Sequence, residues 1–336
     1  MSRTGPPMAD TTGKAGSHWD PLWRIDVRLT DVERALLRSW PVRRLAFVAH
    51  AGASAVASTQ STSRLEHSLG VLALTARFAP DDEVARVAAL LHDVGHLPLS
   101  HTLEGLAGWD HHELGAQRTR LLAPLLAQHG IDVQDVLDVE SGTRASVLTG
   151  APGAMGLDHL DGLVRSASAH GRTREAPPAT LARLEVVEGC VSCDVATADG
   201  LAAMVADEAR LHCSELNLVT TTVVRRLVTL LLEDAPAGTS ADVAAMTDDE
   251  LWALLLASPT TAEVARALRR DPGAWRVVDV DDPASTPGGV VSTLRRLYLD
   301  VPLVDGAAPR SPHPAHADLP AVPWTYAVVP RRAARP

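Results

Sequence analysis

The sequence predicts a mostly α protein with one small β hairpin and an α-rich C-terminal lobe. Three observations lead there. Apolar residues recur at three- and four-residue spacing through most of residues 30–169, capping signals precede several of these runs, and LEVVEGCVSCDVAT alternates in the manner of paired strands. The 336 residues can bury one large core or two unequal ones, and 46% hydrophobic content fits a globular chain.

Taken in order, residues 1–17 are polar, carry Gly and Pro, and are expected to be a disordered tail. WDPLWRIDVRL reads as a short strand pair. Thr30 then stands as an N-cap with Glu33 three residues on, a capping box before an apolar run. Helical periodicity follows over Leu65 to Phe78, Asp82 to His96, His111 to Gln128 and Leu157 to Ala169. Gly171 to Pro178 reads as an exposed loop, Ala202 to Glu233 as one or two long helices, and TDDELWALLLAS as a helix capped by Thr247. Beyond Gly306 the Pro-rich segment has no clear period. The chain thus divides into a tail (1–17), a core (18–180), a hairpin and C-terminal helical lobe packed on that core (181–306), and a Pro-rich tail (307–336).

Charge and cysteine content narrow the function. A net charge of -10 and a pI near 5.7 argue against a nucleic-acid or membrane-surface binder, which usually presents a basic face. The N-terminus lacks the apolar stretch of a signal peptide, and the run around Leu227 to Leu232 is too short to span a bilayer, so a cytoplasmic location is expected. Cys190, Cys193 and Cys213 are a small, odd set, unlike a secreted disulfide framework. Cys190 and Cys193, with His212 and Cys213, have the ligand types of a structural zinc site. The strand-like alternation around the first pair favours a purely structural role.

The chemistry concentrates in AALLHDVGHLPLSH, Ala88 to His101. If the helix continues, His92 and Asp93 point about 100° apart and His96 shares the face of His92, with Pro98 ending the helix. Ser100, His101 and Glu104 follow at once, so a proton-transfer group falls beside a metal-ligating pair. A lone His-Asp dipeptide is weak. RLEHS (Arg64 to Ser68), HHE (His111 to Glu113) and LDHLDGLVR (Leu157 to Arg165) strengthen it.

That ordered set resembles the HD-domain superfamily of metal-dependent phosphohydrolases, and within it the deoxynucleoside triphosphate triphosphohydrolase-like branch. SRLEHSLGV is similar to the family's "TRFEHSLGV", LLHDVGHLPLSHTLEG to "LLHDLGHGPFSH.FEG" and LDHLDGLVRSA to "VDRLDYLLRDS". WDPLWRIDVRLTDVERALL and PVRRLAFV resemble its N-terminal segments. The resemblance implies a helical HD-domain core with His67, His92, Asp93 and Asp158 as ligands of a divalent metal. Imidazoles and carboxylates suit Mn, Fe, Ni, Zn or Mg. It further implies His101 with Glu104 as the catalytic dyad, His96 and His112 facing the phosphates, and Arg64, Arg165 and Arg210 as phosphate contacts, a task that suits guanidinium forks.

Alternatives stand beside several of these. His96 and His112 could be satisfied structural histidines. Asp161 could support the site or hold Arg165 in an i,i+4 pair. His50, His111, His159 and His170 are open between substrate and solvent. Departures from the family are equally informative: His50, Ala51 and Gly52 replace "QLG", Gly162 and Ser166 replace the tyrosine and aspartate of "DYLLRD", and Asn217 to Thr221 replace "VYxHK". The metal chemistry is kept while sugar-holding groups are lost, which points away from an ordinary deoxynucleotide towards a modified one.

Three functions are therefore expected in competition. One is hydrolysis of a nucleoside triphosphate or analogue to nucleoside and tripolyphosphate. Another is removal of a single phosphate from a specialised nucleotide or sugar phosphate, and the third is nucleotide binding without turnover. By resemblance the protein is expected to be a homo-oligomer, dimer or tetramer.

Overall fold

The structure, a computed structural model, describes residues 10–59, 62–148, 150–234, 236, 238–282, 289–308 and 313–331. It is mostly helical, with fourteen α-helices and eight strands among the described residues. The expected strand pair forms as Ser17–Asp20 against Ile25–Arg28, antiparallel. Thr30 then caps the helix Asp31–Leu36 in a complete capping box with Glu33. Ser63 and Thr247 cap Arg64–Phe78 and Asp248–Ala257 in the same way, the serine with Glu66 and the threonine with Glu250.

Several expected helices are shorter than the apolar pattern suggested. His111 to Gln128 divides into His111–Leu121 and Ala123–Gln128, because Pro124 cannot donate into a continuous ladder. Ala202 to Glu233 lies within two helices, Val195–His212 and Glu215–Glu233, the second capped by Ser214. Leu157–Ala169 has the expected bounds.

Three buried clusters hold the molecule together. One gathers Leu36, Leu69, Leu72, Leu90 and Val136 around the N-terminal helices. A second joins Leu97, Leu99 and Leu103 to Leu227, Val243 and Leu251 of the C-terminal lobe. A third packs Trp23 and Leu74 against Leu160, Val164, Leu181 and Leu201. Segments bearing the candidate site residues belong to all three, so the site lies where the clusters meet.

The β content exceeds one hairpin. Glu185–Val187 and Cys190–Cys193 form that hairpin, and Leu303–Val304 adds to it in parallel. A separate antiparallel sheet places Trp324–Pro330 between Trp275–Asp279 and Val290–Leu294. The segment beyond Gly306, read as a Pro-rich tail, therefore contributes a central strand. Its run WTYAVVP is rich in β-forming residues, but prolines on both sides mask it as a strand signal. Of the expected N-terminal tail, residues 1–9 lie outside the described residues, while 10–16 turn about the Asp10 carboxylate, which accepts from the backbone N–H of Thr12 and Ala15. Residues 309–312 and 332–336 of the C-terminal tail also lie outside the described residues. No helix among the described residues is long and apolar enough to cross a membrane.

Candidate metal centre

Three segments converge on the site. The capping box at Ser63 uses the Glu66 carboxylate to accept the Ser63 N–H at 2.7 Å, which turns Glu66 outward and leaves Arg64 and His67 facing in, both buried. The second helix, Glu83–Leu91, ends one residue before His92, and His92 to His96 forms a tight turn with Val94 N–H donating to Leu91 and His96 N–H to Asp93. This corrects the sequence reading, in which His92 and His96 share a helical face. The turn is packed too closely to continue: a Cβ on Gly95 would lie 1.8 Å from the carbonyl of His111. The third segment is Leu157–Ala169, with Asp158 in its first turn and Asp161 one turn on.

Four donors meet at one point. His67 Nε2 lies 2.9 Å from Asp158 Oδ1 and 3.3 Å from His92 Nε2. His92 Nε2 lies 3.5 Å from both Asp93 Oδ1 and Asp158 Oδ1, and His67 Nε2 is 3.8 Å from Asp93 Oδ2. Ligands held about 2.0–2.2 Å from a divalent metal stand roughly 3–3.5 Å from one another, so these spacings fit a first coordination shell. The outer groups fit as well. His92 Nδ1 donates to the Ala89 carbonyl at 3.0 Å, and His67 Nδ1 to Asp161 at 2.8 Å, leaving both Nε2 atoms for the centre. Asp158 opens to the cleft while His67 and Asp93 are buried, which leaves one side of the centre accessible.

Electrostatics agree with a site built for a cation. Burial opposes ionisation of Asp93, but Arg64 and the flanking histidines hold its carboxyl well below the ordinary range. At His92 burial opposes the proton, yet Asp93 and Asp158 outweigh it and push the imidazole up to about 10. Two carboxylates thus hold a proton where a metal would otherwise sit.

A second histidine group adjoins the first through Asp93, whose Oδ1 is 3.0 Å from His96 Nε2. The His96 ring lies 4.6 Å from that of His101 and stacks on that of His111 at 4.7 Å. Here the structure corrects two expectations. Glu104 does not orient His101; its carboxylate accepts both the backbone N–H of His111 at 3.1 Å and His111 Nδ1 at 2.9 Å. His112, expected at the phosphates, is exposed, and His111 is the member of the pair that packs inward. Buried His96, with Nδ1 unpartnered, is driven to about 3 by burial and the charge of Arg64, and is therefore neutral. His101 opens to the cleft. The turn carrying it is strained: Leu99 and Ser100 have φ of 57° and 56°. Two contacts pin it, Arg64 Nε donating to Ser100 Oγ at 2.6 Å and Ser100 Oγ donating to Ala49 O at 3.0 Å.

The arginines expected at phosphate are occupied. Arg64 donates to Asp93 at 3.0 Å, and buried Arg165 donates to Asp161 and Asp20, each at 2.8 Å. Arg210 is on the surface, bonded to Asp207 and Ala315. Asp161 takes both roles left open for it, since it holds His67 as well as Arg165. His50 is inside the site, its ring 4.9 Å from that of His67 and above Gly162, where a Cβ would be 3.5 Å from His50 Nε2. Burial and Arg64 keep its pKa well below the ordinary histidine range.

Sequence reading missed the supports. Trp23 Nε1 donates to Asp161 at 2.6 Å from the N-terminal strand pair. Arg44 and Arg118 both donate to the His96 carbonyl and to that of Ala244, fastening the C-terminal lobe to the His-Asp turn. Only the pairing of tryptophan with aspartate in WDPLWRID hinted at the first. Among the described residues the cysteines join no cluster of metal-ligating side chains: Cys190 and Cys193 are buried free thiols in one strand, and Cys213 is also outside any disulfide.

Residues 64–138, the stretch carrying His67, His92 and Asp93, match the family model of the HD domain. This part of the chain is similar to the HD domain. A metal-dependent phosphohydrolase of Cordyceps militaris is 37% identical over 114 residues, 31% of this chain and 32% of that protein. Uncharacterized proteins of Methanocaldococcus jannaschii and Bacillus subtilis are 35% identical over 100 residues and 31% over 113. The chain spans 22%, 34% and 32% of the lengths of the archaeal, Bacillus and fungal proteins. The fold extends past the HD domain. A hypothetical protein from Aquifex aeolicus shares it at a TM-score of 0.68 and 18% identity, covering 93% of this chain and 95% of that one. A phosphohydrolase from Bacteroides thetaiotaomicron does so at 0.68 and 15%, covering 94% and 99%.

Proposed function

We propose that the protein is a metal-dependent phosphohydrolase acting on a small phosphorylated molecule, with a nucleoside triphosphate or analogue, cleaved to nucleoside and tripolyphosphate, as the favoured substrate. One observation carries this reading: the ring nitrogens of His67 and His92 lie 3.3 Å apart and each comes within 2.9–3.8 Å of a carboxylate oxygen of Asp93 and of Asp158, with His101 exposed beside them. A divalent metal in that set supplies Lewis-acid chemistry, polarising a phosphoryl oxygen and acidifying water. The remaining work falls to the chain. Arg64 keeps Asp93 ionised and aligned, Asp161 fixes the ring of His67, and His101, kept neutral by burial and the charge of Arg64, takes a proton from the attacking water at its free ring nitrogen, a contribution typically worth about 10²–10⁴-fold. Glu104 holds His111 beside it.

A second reading is removal of one phosphate from a smaller compound, and the engagement of Arg64 and Arg165 by buried carboxylates favours it, because neither guanidinium is free for a long polyphosphate. Elemental analysis, followed by incubation with mono-, di- and triphosphate nucleotides and Mn²⁺, separates the two. Tripolyphosphate with free nucleoside supports the first reading, orthophosphate alone the second. Metal binding with no product from any phosphoester would overturn both. No membrane partner is proposed. A homo-oligomer is proposed from the resemblance.

A further inference from the structure

Aromatic groups are missing where the family-like pattern leads one to look for them, at Gly162 and in Asn217 to Thr221, yet the cleft has one supplied from elsewhere. Between the strand Val290–Leu294 and the bridge that joins Val301 to Ala154, residues 295–300 run without regular secondary structure. Leu297 is buried and anchors this strap, and Met155 N–H donates to the carbonyl of Val301 at its far end. Arg295, Arg296 and Tyr298 face solvent. The strap makes two contacts beside the metal centre within three residues. The Tyr298 ring lies 6.3 Å from that of His101 at 34°, and the Asp300 carboxylate is 3.9 Å from Nδ1 of His159, the neighbour of Asp158. Tyr298 is 44% exposed, and the Arg296 guanidinium lies 4.8 Å from its ring centroid. Among the described residues it is the only Phe, Tyr or Trp in ring contact with a cleft histidine.

We infer that Tyr298, backed by Arg296, is the specificity platform of the site and stacks on a planar ring carried by the phosphorylated substrate. An exposed tyrosine costs little conformational freedom to present and offers a broad face, and a guanidinium against that face fixes the ring. Stacking of this kind is tolerant of which base is bound and worth about tenfold or more in affinity. This inference rests on the phosphohydrolase reading for its substrate class.

The test uses the full-length Mn²⁺-loaded protein, with dGTP and ATP as ring-bearing probes and inorganic tripolyphosphate as the ringless one. For whichever nucleotide is turned over, Tyr298→Ala is expected to raise KM about tenfold with kcat within twofold, Tyr298→Phe to restore it, and inhibition by tripolyphosphate to stay unchanged. An unaltered KM in Tyr298→Ala, or equal weakening of tripolyphosphate, overturns the platform and leaves the hydrolase reading standing. If neither nucleotide is turned over, equilibrium dialysis of dGTP decides: tenfold weaker binding by Tyr298→Ala supports the platform, and equal binding, or none by the unaltered protein, overturns it.

Discussion

Asp161 accepts the Nδ1 proton of His67 at 2.8 Å while being wholly buried, so one carboxylate fixes both the tautomer and the direction of a candidate ligand. Trp23 and Arg165 satisfy its remaining lone pairs. Asp161→Asn keeps the shape and weakens this support. Mn²⁺ affinity is expected to fall about 10–100-fold, the usual scale for an outer-shell partner. Equilibrium dialysis measures it, and an unchanged affinity would show that His67 needs no orienting group.

Removing a ligand tests the centre itself. His92→Ala and Asp93→Asn are each expected to abolish both bound metal and turnover. Asparagine is chosen at position 93 because its amide oxygen can still accept from Arg64, which alanine could not do. Metal content by elemental analysis, with circular dichroism as a check on folding, gives the answer. Full activity in either variant would sink the assignment.

His101 and Glu104 separate by what they touch. His101→Ala should leave metal content intact and lower the rate by about 10² or more. Glu104→Gln acts through His111, so its effect should be smaller and should vanish in a His111→Ala background. Single-turnover rates of the two single variants and the double variant check this.

Gly95→Ala is expected to be damaging although the added group is one methyl. That methyl would meet the His111 carbonyl at 1.8 Å and the Gly115 nitrogen at 2.4 Å, backbone atoms that move only with their helix. Overpacking of this kind costs about 1–3 kcal/mol and would displace His111 from His96. Denaturant midpoints measure the first effect, and loss of activity at temperatures where the variant stays folded measures the second.

Glu140, on the helix Val133–Glu140, supplies a pH test. Burial raises its carboxyl to about 7, with His92 opposing the shift, and Oε1 has no hydrogen-bond partner. A folded pKa above the unfolded one means that the folded state binds this proton more tightly. The contribution of this group to stability is therefore full below about 4.5 and declines as pH rises to about 7, by roughly 3 kcal/mol. Glu140→Gln removes that decline, so its melting temperature should exceed that of the unaltered protein more at pH 8 than at pH 5. Parallel curves would mean the carboxylate is solvated after all.

Much of the helical scaffold could be read in advance because each signal was local. Ser63 with Glu66 and Thr247 with Glu250 are capping boxes spelled out within four residues, and Leu157–Ala169 carries its period in full. The His-Asp turn was misjudged for the opposite reason. Nothing within Glu83 to His96 forbids helix, and what ends it is the backbone of a helix beginning at His111. The same holds for Glu104, whose partner was chosen by tertiary packing, and for Arg165, whose fork looks equally suited to phosphate or to Asp20 and Asp161. Trp324–Pro330 went unseen because its partners lie tens of residues upstream.

The distance along the chain between the members of this centre has a consequence for its birth on the ribosome. His67, His92 and Asp93 emerge first, but Arg165 and Asp161, which complete the buried charge network behind them, come later, and Arg44 must still wait for the carbonyls of Ala244 and Ala245. Until then His67 lacks both the carboxylate of Asp158 beside its Nε2 and that of Asp161 behind its Nδ1. A fragment ending at residue 138 is therefore expected to bind metal more weakly than the finished chain.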